Sequence, residues 1–285
     1  MNLIGTVTIL GAGLLGASLA KSLKKYGVAK KISVWSRGES TRSKCANLPS
    51  VFDNVFDSAK DAVANAELVV VCAPTSNIPE LVEQIAPYLK NGATVTDVGS
   101  VKKTICDAAE TALAGSKGIF VGSHPMAGSE KIGIDYSDAD LFQNRPCFVT
   151  PANDSQIRAA KLLQKIWSAV GMKVYCVSPS VHDSIVANVS HLPHIVSGLL
   201  CRTASKFENG DLRDYAGPGF RDSTRISSGN PEIWDSIIAD NQSEILKSLK
   251  LFKGELENII GAVENRDSEK IGDMLRTAKK YRDKL

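Results

Sequence analysis

Four histidines, His124, His182, His191 and His194, are the side chains of this sequence best suited to move a proton near neutral pH. His124 lies in Gly122-Ser123-His124-Pro125-Met126-Ala127-Gly128, where glycine and proline impose an irregular backbone, so chemistry is favoured over a core position. It follows Ile119-Phe120-Val121-Gly122, which reads as a strand ending at a crevice. Ser100, in Asp97-Val98-Gly99-Ser100-Val101-Lys102, stands at the end of a neighbouring strand and could bind the same hydroxyl or orient the His124 ring. His191 and His194 are three residues apart and share a helix face if Pro193 lies in the first turn. No carboxylate or third ligand accompanies them, so a hydrogen-bonding or anion-binding face is expected rather than a metal site. His182 beside Asp183 is explained by a surface helix start. Phe220-Arg221-Asp222-Ser223-Thr224-Arg225-Ile226 brings two guanidinium groups and a carboxylate together. Arg225 suits bidentate binding of a carboxylate, with Asp222 to hold it in place; a solvated charged loop is the alternative.

A partner for such proton chemistry is announced at the start of the chain. Thr6-Val7-Thr8-Ile9-Leu10 leads into Gly11-Ala12-Gly13-Leu14-Leu15-Gly16, followed by apolar residues at helical spacing. Strand, Gly-x-Gly-x-x-Gly and helix in that order form the dinucleotide-binding fingerprint. Gly11 allows the tight turn, Gly13 lets backbone approach a pyrophosphate, and Gly16 lets the helix lie against the strand. The helix start at Leu14 and Leu15 offers N–H groups to phosphate. The second strand, Lys31 to Arg37, ends in Ser36-Arg37 without the carboxylate that would bind an adenine ribose 2′-hydroxyl. Ser36, Arg37, Ser40, Thr41 and Arg42 instead suit a 2′-phosphate, so NADP is favoured and NAD remains possible. Glu39 counts the other way, and a solvated loop charge is the other reading of Arg37.

The elements that must position these residues alternate. Glu67 to Ala73, ended by Pro74, and Ala93 to Val98 are apolar runs of the kind buried on both faces of a parallel sheet. Ala73 and Pro74, at such a strand end, are expected beside the cofactor. Helices are expected over 57–65, 75–89 and 154–170, the last capped by Asn153 or Asp154. Strands over 146–150 and 172–177 are expected to add a smaller half to a parallel sheet of about six strands. After Pro179 no convincing strand remains. Helices are expected over 181–188, 189–207, 231–239, 245–263 and 268–282, with a polar loop over 208–219. Their apolar faces suit either a dimer interface or a self-contained core. The expected fold is therefore α/β: an N-terminal Rossmann-type doubly wound sheet, residues 1–178, and an all-helical C-terminal domain, residues 179–285.

Composition narrows the function classes. At 285 residues the chain can hold two domains. A net charge of +3, from 34 basic and 31 acidic residues, gives no electrostatic footprint for nucleic acid. The six cysteines are too scattered for a zinc site or Cys-x-x-Cys and are expected to be buried reduced thiols. No apolar run reaches the roughly 18 residues of a membrane span, and Met1 stands too close to the first strand for a signal peptide. A cytoplasmic protein with no membrane or nucleic-acid partner is expected.

With these motifs in hand, the chain resembles the prephenate/arogenate dehydrogenase family of tyrosine biosynthesis. The resemblance rests on the glycine motif, Asp97 to Lys102, Gly122 to Glu130, Val189-Ser190-His191-Leu192-Pro193-His194, and Gly219 to Ile226. It implies oxidative decarboxylation of a cyclohexadienyl acid. His124 would take the ring-hydroxyl proton during hydride transfer and Ser100 would orient that hydroxyl. Arg225 would bind the ring carboxylate, with Asp222 nearby. His194, and Ser129 or Glu130, would meet the substrate side chain or gate the pocket. The helical region would be a dimerisation domain, giving a homodimer. Without a chorismate mutase before the glycines or a regulatory domain after Leu285, a monofunctional enzyme is expected. Whether prephenate or arogenate is preferred stays open: His194 leans to the keto acid, and Asp222 and Glu130 suit an ammonium. Two alternatives are a β-hydroxyacid or imino-acid reductase, which places a lysine on a helix of its second domain, and an NADP-sensing module without turnover, which leaves His124 and Arg225 without a purpose.

Overall fold

In the computed structural model, the β-branched run before the glycines is strand β1 (Ile4–Leu10). Val7, Ile9 and Leu10 are completely buried. The chain turns at Gly11 and enters α1 (Leu14–Lys25). Gly11 has φ +104°, and a Cβ there would lie 2.3 Å from the Cys72 carbonyl oxygen. At Gly16 a Cβ would lie 2.0 Å from the Gly11 carbonyl oxygen and 3.1 Å from Ile9 Cγ2. The outer two glycines are thus packing requirements of the turn itself.

Among the described residues, 3–128, 131–207 and 211–284, the strands form two sheets. The larger is fully parallel and joins β1 to β2 (Ala29–Trp35), β3 (Asn54–Phe56), β4 (Leu68–Val71), β5 (Thr94–Asp97) and β6 (Ile119–Phe120), in the order β3-β2-β1-β4-β5-β6. Order reverses at β1, where Ile9 pairs with Val34 on one side and Val70 on the other. Ligand crevices form outside strand ends at such a reversal. In β4, Leu68 and Val70 join one apolar core while Val69 and Val71 join another. Alternation by two therefore buries both faces of a continuous apolar run. Helices α2 (Glu39–Ala46), α3 (Ala59–Val63), α4 (Ile78–Ile85) and α5 (Lys103–Ala112) follow successive strands.

The second sheet corrects an expectation. Residues 146–150 and 172–177 do not extend the first sheet. They form β8 (Pro146–Thr150) and β9 (Lys173–Cys176), joined through α6 (Ile157–Ala169), beside β7 (Gly122–Pro125). Strands β7 and β8 are antiparallel, and β8 and β9 parallel. The Val121 amide still donates to Val95 of β5 at 2.9 Å, but the Ser123 amide donates to the Asp97 carboxylate at 3.1 Å. A side chain thus takes over from the ladder, and β7 leaves to pair with β8. His124 lies inside this strand, opposite Phe148, rather than in an irregular stretch after one. Other differences are local. Strand β3 was not anticipated, and α3 is shorter than 57–65. Neither Asn153 nor Asp154 caps a helix with its side chain; a 3-10 turn, Asp154–Gln156, precedes α6. Cys45, Cys106 and Cys147 are buried thiols, but Cys72 and Cys201 are half-buried and Cys176 is exposed.

Helix α7 (Pro179–Val186), a π-helical turn (Ala187–His191) and α8 (Leu192–Ala204) run on as one 26-residue helical stretch. An 18-residue window within it reaches a mean hydropathy of 1.3, enough to cross a membrane by length and composition only, a test that the core helix of a soluble protein also passes. The expected loop over 208–219 holds a 3-10 turn, Leu212–Tyr215, and the start of α9 (Pro218–Thr224). Helices α10 (Pro231–Asp240), α11 (Gln242–Glu264) and α12 (Ser268–Arg282) complete the chain. Asn230 and Asp267 cap α10 and α12 by accepting the amides of Glu232 and Lys270. Two compact units result: Met1–Val186 with Ser228–Asn241, and Ala187–Ser227 with Gln242–Leu285. Helix α10 belongs to the first, where Ile237 is buried and Trp234 packs against the same core.

The glycines separate stability from binding. Gly11→Ala is expected to cost about 1–3 kcal/mol or more, from the left-handed φ and the clash with Cys72. Gly13→Ala, where a Cβ would meet nothing within 4 Å, should stay within about 0.5 kcal/mol of the parent while weakening dinucleotide binding. Thermal melting and ligand titration of both variants check this; a Gly13→Ala protein that melts like Gly11→Ala would refute it.

Candidate active site

The cradle at the β1–α1 turn has the features a pyrophosphate needs. Gly13 is the N-cap of α1, no side chain caps that terminus, and its first turn has no acidic residue. Leu14 and Leu15 open the helix, so their amides face outward with the positive end of the helix dipole. Beside it is a pocket of about 230 Å³ lined by Gly11, Trp35, Arg37, Ala73, Pro74 and Glu80, among others. A dinucleotide fits these residues: Gly13 leaves open space where phosphate approaches backbone, and the pocket lies at the ends of β1, β2 and β4.

The β2–α2 turn is more constrained than its composition suggests. Ser36 is buried, and its Oγ accepts the Ala12 amide at 2.7 Å. Ser36, expected to meet phosphate, braces the glycine loop through this bond. Arg42 donates through Nη1 to the carbonyls of Ser36 and Arg37, at 2.8 and 3.0 Å, and through Nε to Asp57 at 3.1 Å. It locks the turn and engages the neighbouring carboxylate. Arg37 and Ser40 are exposed, and among the described residues Arg37 forms no ion pair.

His124, the candidate proton-moving residue, sits in a buried polar cluster. Asp97, at the end of β5, and Lys102 are both fully buried and form an ion pair. Asp97 also accepts the amides of Gly99 at 2.8 Å and Ser123 at 3.1 Å. One carboxylate thereby holds the turn carrying Ser100 and the strand carrying His124. Ser123 Oγ bonds Thr96 Oγ1 at 2.7 Å and accepts Trp167 Nε1–H at 3.1 Å. His124, 8% exposed, has its Nδ1 2.8 Å from Nε2 of His182. His182 Nδ1 is 2.7 Å from Oδ1 of Asp183. Asp183 accepts the amides of Lys102 and Lys103, at 2.8 and 2.9 Å, where α5 begins. Its backbone carbonyl accepts Asn241 Nδ2–H at 2.9 Å. The Ser100 turn is thus pinned at both ends.

His182, expected at a surface helix start, is completely buried. The buried residues of α7 are Pro179, His182, Asp183 and Val186, at i, i+3, i+4 and i+7. That spacing was the available signal: both titratable groups share the apolar stripe with Val186. Burial pushes the His182 pKa down, against the pull of the Asp183 hydrogen bond, and Lys102 adds to the lowering. For Asp183, burial pushes up, but the bonds from His182 and the Lys103 and Lys102 amides outweigh it and hold the carboxyl below its ordinary value.

The second unit carries the other candidates. His191 is buried and His194 half-buried, with burial lowering the His194 pKa. Arg225 and Asp222 are exposed and form no ion pair with each other, so Asp222 does not hold Arg225 as expected. Their segment is α9 and a 3-10 turn, Arg225–Ser228, rather than a loop. A cavity of about 870 Å³ in this unit is lined by Cys201, Asp211, Arg213, Phe220, Arg221 and Thr224, among others. Ser129 and Glu130 lie outside the described residues. Among the described residues no group of three or more histidine, cysteine or acidic side chains is placed to hold a metal ion.

Comparison with known proteins places this geometry. A family model described as the prephenate dehydrogenase nucleotide-binding domain matches residues 19–176, and one described as the prephenate dehydrogenase dimerization domain matches residues 178–277. The chain is 30% identical over 285 residues to a cyclohexadienyl dehydrogenase of Zymomonas mobilis, covering 99% of this chain and 96% of that one. It is similar to the crystal structure of prephenate dehydrogenase from A. aeolicus in complex with hydroxyphenyl propionate and NAD+, with TM-score 0.90, 31% identity and coverage of 100% and 98%. It is also similar to Synechocystis arogenate dehydrogenase, with TM-score 0.87, 32% identity and coverage of 98% and 99%.

The Ser36 brace leads to a binding test. Ser36→Ala is expected to weaken NAD and NADP by the same factor, because it loosens the loop that holds the pyrophosphate common to both. Arg37→Ala should weaken NADP alone. Titration calorimetry reads both; a Ser36→Ala loss confined to NADP would make Ser36 a phosphate ligand instead.

Proposed function

This chain belongs to the prephenate dehydrogenase family of oxidoreductases, and we propose that it is a cytoplasmic homodimer that oxidatively decarboxylates prephenate, arogenate or both, with NADP favoured over NAD. Residues 1–178 are assigned to cofactor binding and 179–285 to substrate binding and dimerisation. The observation that carries this reading is His124, held in a buried hydrogen-bonded chain in the unit whose sheet carries the dinucleotide cradle.

Gly11, Gly13, Leu14, Leu15 and Gly16 would hold the pyrophosphate, with Ala73 and Pro74 beside it. Arg37 and Ser40 would take the 2′-phosphate, with Ser36 bracing the glycine loop. A bound nicotinamide supplies the hydride acceptor. His124 takes the proton of the ring hydroxyl as hydride leaves the same carbon, and Ser100 orients that hydroxyl. The ring then bears a carbonyl. Loss of carbon dioxide sends the electron pair of the carboxylate bond into the ring, giving a phenolate that recovers the proton from His124. Aromatisation makes the sequence effectively irreversible. Arg225 binds the ring carboxylate. Asp222, His194, Ser129 and Glu130 are assigned to the substrate side chain or the gating of its pocket. The choice between substrates turns on that end of the molecule: a keto group suits His194, whereas an ammonium suits Asp222 or Glu130.

Reduced nucleotide should form with at least one of prephenate and arogenate, faster with NADP than with NAD. No turnover with either substrate would overturn the reading. His124→Asn should lower kcat by about 10²-fold or more with little change in KM, and Arg225→Ala should chiefly raise the substrate KM. An unchanged kcat in the first, or an unchanged KM in the second, would remove that residue from its role.

A further inference from the structure

We propose that His182 and Asp183 are positioning residues that set the tautomer of His124, placing its proton on Nδ1 so that Nε2 is the nitrogen that accepts the substrate proton; this rests on the reading of His124 as the base.

The chain of hydrogen bonds is anchored at Asp183. Its Oδ1 accepts the Lys102 amide at 2.8 Å and Oδ2 the Lys103 amide at 2.9 Å, so neither oxygen can turn away. Two backbone amides converge on this carboxylate, one on each oxygen, and they favour its ionised, acceptor-only form. The His182 Nδ1 at 2.7 Å must therefore carry a proton and donate it. His182 is fully buried, with the Lys102 ammonium near it and Asp97 and Asp183 as the facing negative charges. Its ring is held edge-on to Phe148, centroids 5.0 Å apart at 85°, which fixes its orientation. Burial favours the neutral imidazole, whose second nitrogen, Nε2, is then an acceptor only. That nitrogen lies 2.8 Å from His124 Nδ1, so the proton between the rings belongs to His124. A neutral imidazole has one N–H, and Nε2 of His124 is left as the basic nitrogen.

The protons balance without reaching Asp183. When Nε2 takes the hydroxyl proton, His124 becomes an imidazolium that still donates Nδ1–H to His182. The positive charge is stabilised through that bond and by the Asp183 carboxylate beyond it, and the proton returns from Nε2 to the phenolate. Asp183 has a second duty. The amides it accepts end the turn that carries Ser100, so one carboxylate ties the base and the hydroxyl-orienting serine to a common frame.

Nitrogen-15 NMR of the imidazoles in the full-length enzyme, with His124 signals identified by their loss in His124→Asn, reads the tautomer directly. Protonated Nδ1 and unprotonated Nε2 on His124 are expected; protonated Nε2 would overturn the proposal even if His182→Phe does not fold. His182→Phe removes the acceptor and should shift His124 towards the Nε2–H form. Its kcat should fall at least about tenfold, but no further than that of His124→Asn, with substrate KM little changed. His182→Gln, whose amide can donate to Asp183 and accept from His124, should restore part of it. The double variant His124→Asn/His182→Phe should be no slower than His124→Asn alone. Additive losses would make His182 merely structural and overturn the proposal. If His124→Asn itself retains full kcat, the assignment of the base fails instead, which the tautomer measurement does not depend on.

Discussion

The buried pair of Asp97 and Lys102 is the constraint on which the rest of the site depends. Both side chains are completely removed from water, a state that costs several kcal/mol for each ion unless partners replace the lost solvent. Asp97 is satisfied by the ammonium and by the amides of Gly99 and Ser123. These are bonds to two different chain segments. Through them a single carboxylate ends β5, shapes the Ser100 turn and draws β7 out of the parallel sheet. The geometry of the candidate site is therefore stored in backbone held by a charge, rather than in the rotamer of an exposed loop residue. A buried ion pair is weak evidence for stability, but this one specifies where two strands part.

Asp183 repeats the device from the other side. It enters on α7, takes the amides at the start of α5 and orients His182. The two carboxylates thus grip the segment from Gly99 to Lys103 at both ends, with Ser100 between them. In the same unit, Ser36 and Arg42 brace the cofactor turn, leaving Arg37 and Ser40 exposed to meet a ligand. In both places buried polar groups hold the backbone that carries the candidate residues.

Much of this was legible in the residues themselves. The glycine fingerprint, the apolar runs of β4 and β5, and the long helices near the C-terminus follow from local steric and periodic rules that need no distant partner. Strand β3 was not legible because three residues carry too little pattern. The departure of β7 was hidden because it depends on Asp97, 26 residues earlier, accepting the Ser123 amide. The brace that Ser36 gives the glycine loop was hidden because composition cannot show its oxygen accepting the Ala12 amide. His182 and Asp183 were misread because a polar pair near a helix start ordinarily faces water; only their register with Pro179 and Val186 told otherwise. Apart from β3, each of these features is a polar side chain whose partner lies elsewhere in the fold, the kind of contact that periodicity does not encode.

The most direct measurement uses a substrate carrying deuterium on the ring carbon that bears the hydroxyl, turned over by the wild-type enzyme in water and in deuterium oxide. Deuterium should be recovered on the nicotinamide ring of the reduced nucleotide, with carbon dioxide released in equal amount. Heavy solvent should slow the same step, as required if the hydroxyl proton moves to His124 while hydride departs. Deuterium lost to solvent, or reduced nucleotide formed without it, would contradict hydride transfer from that carbon and with it the role of the buried histidine chain.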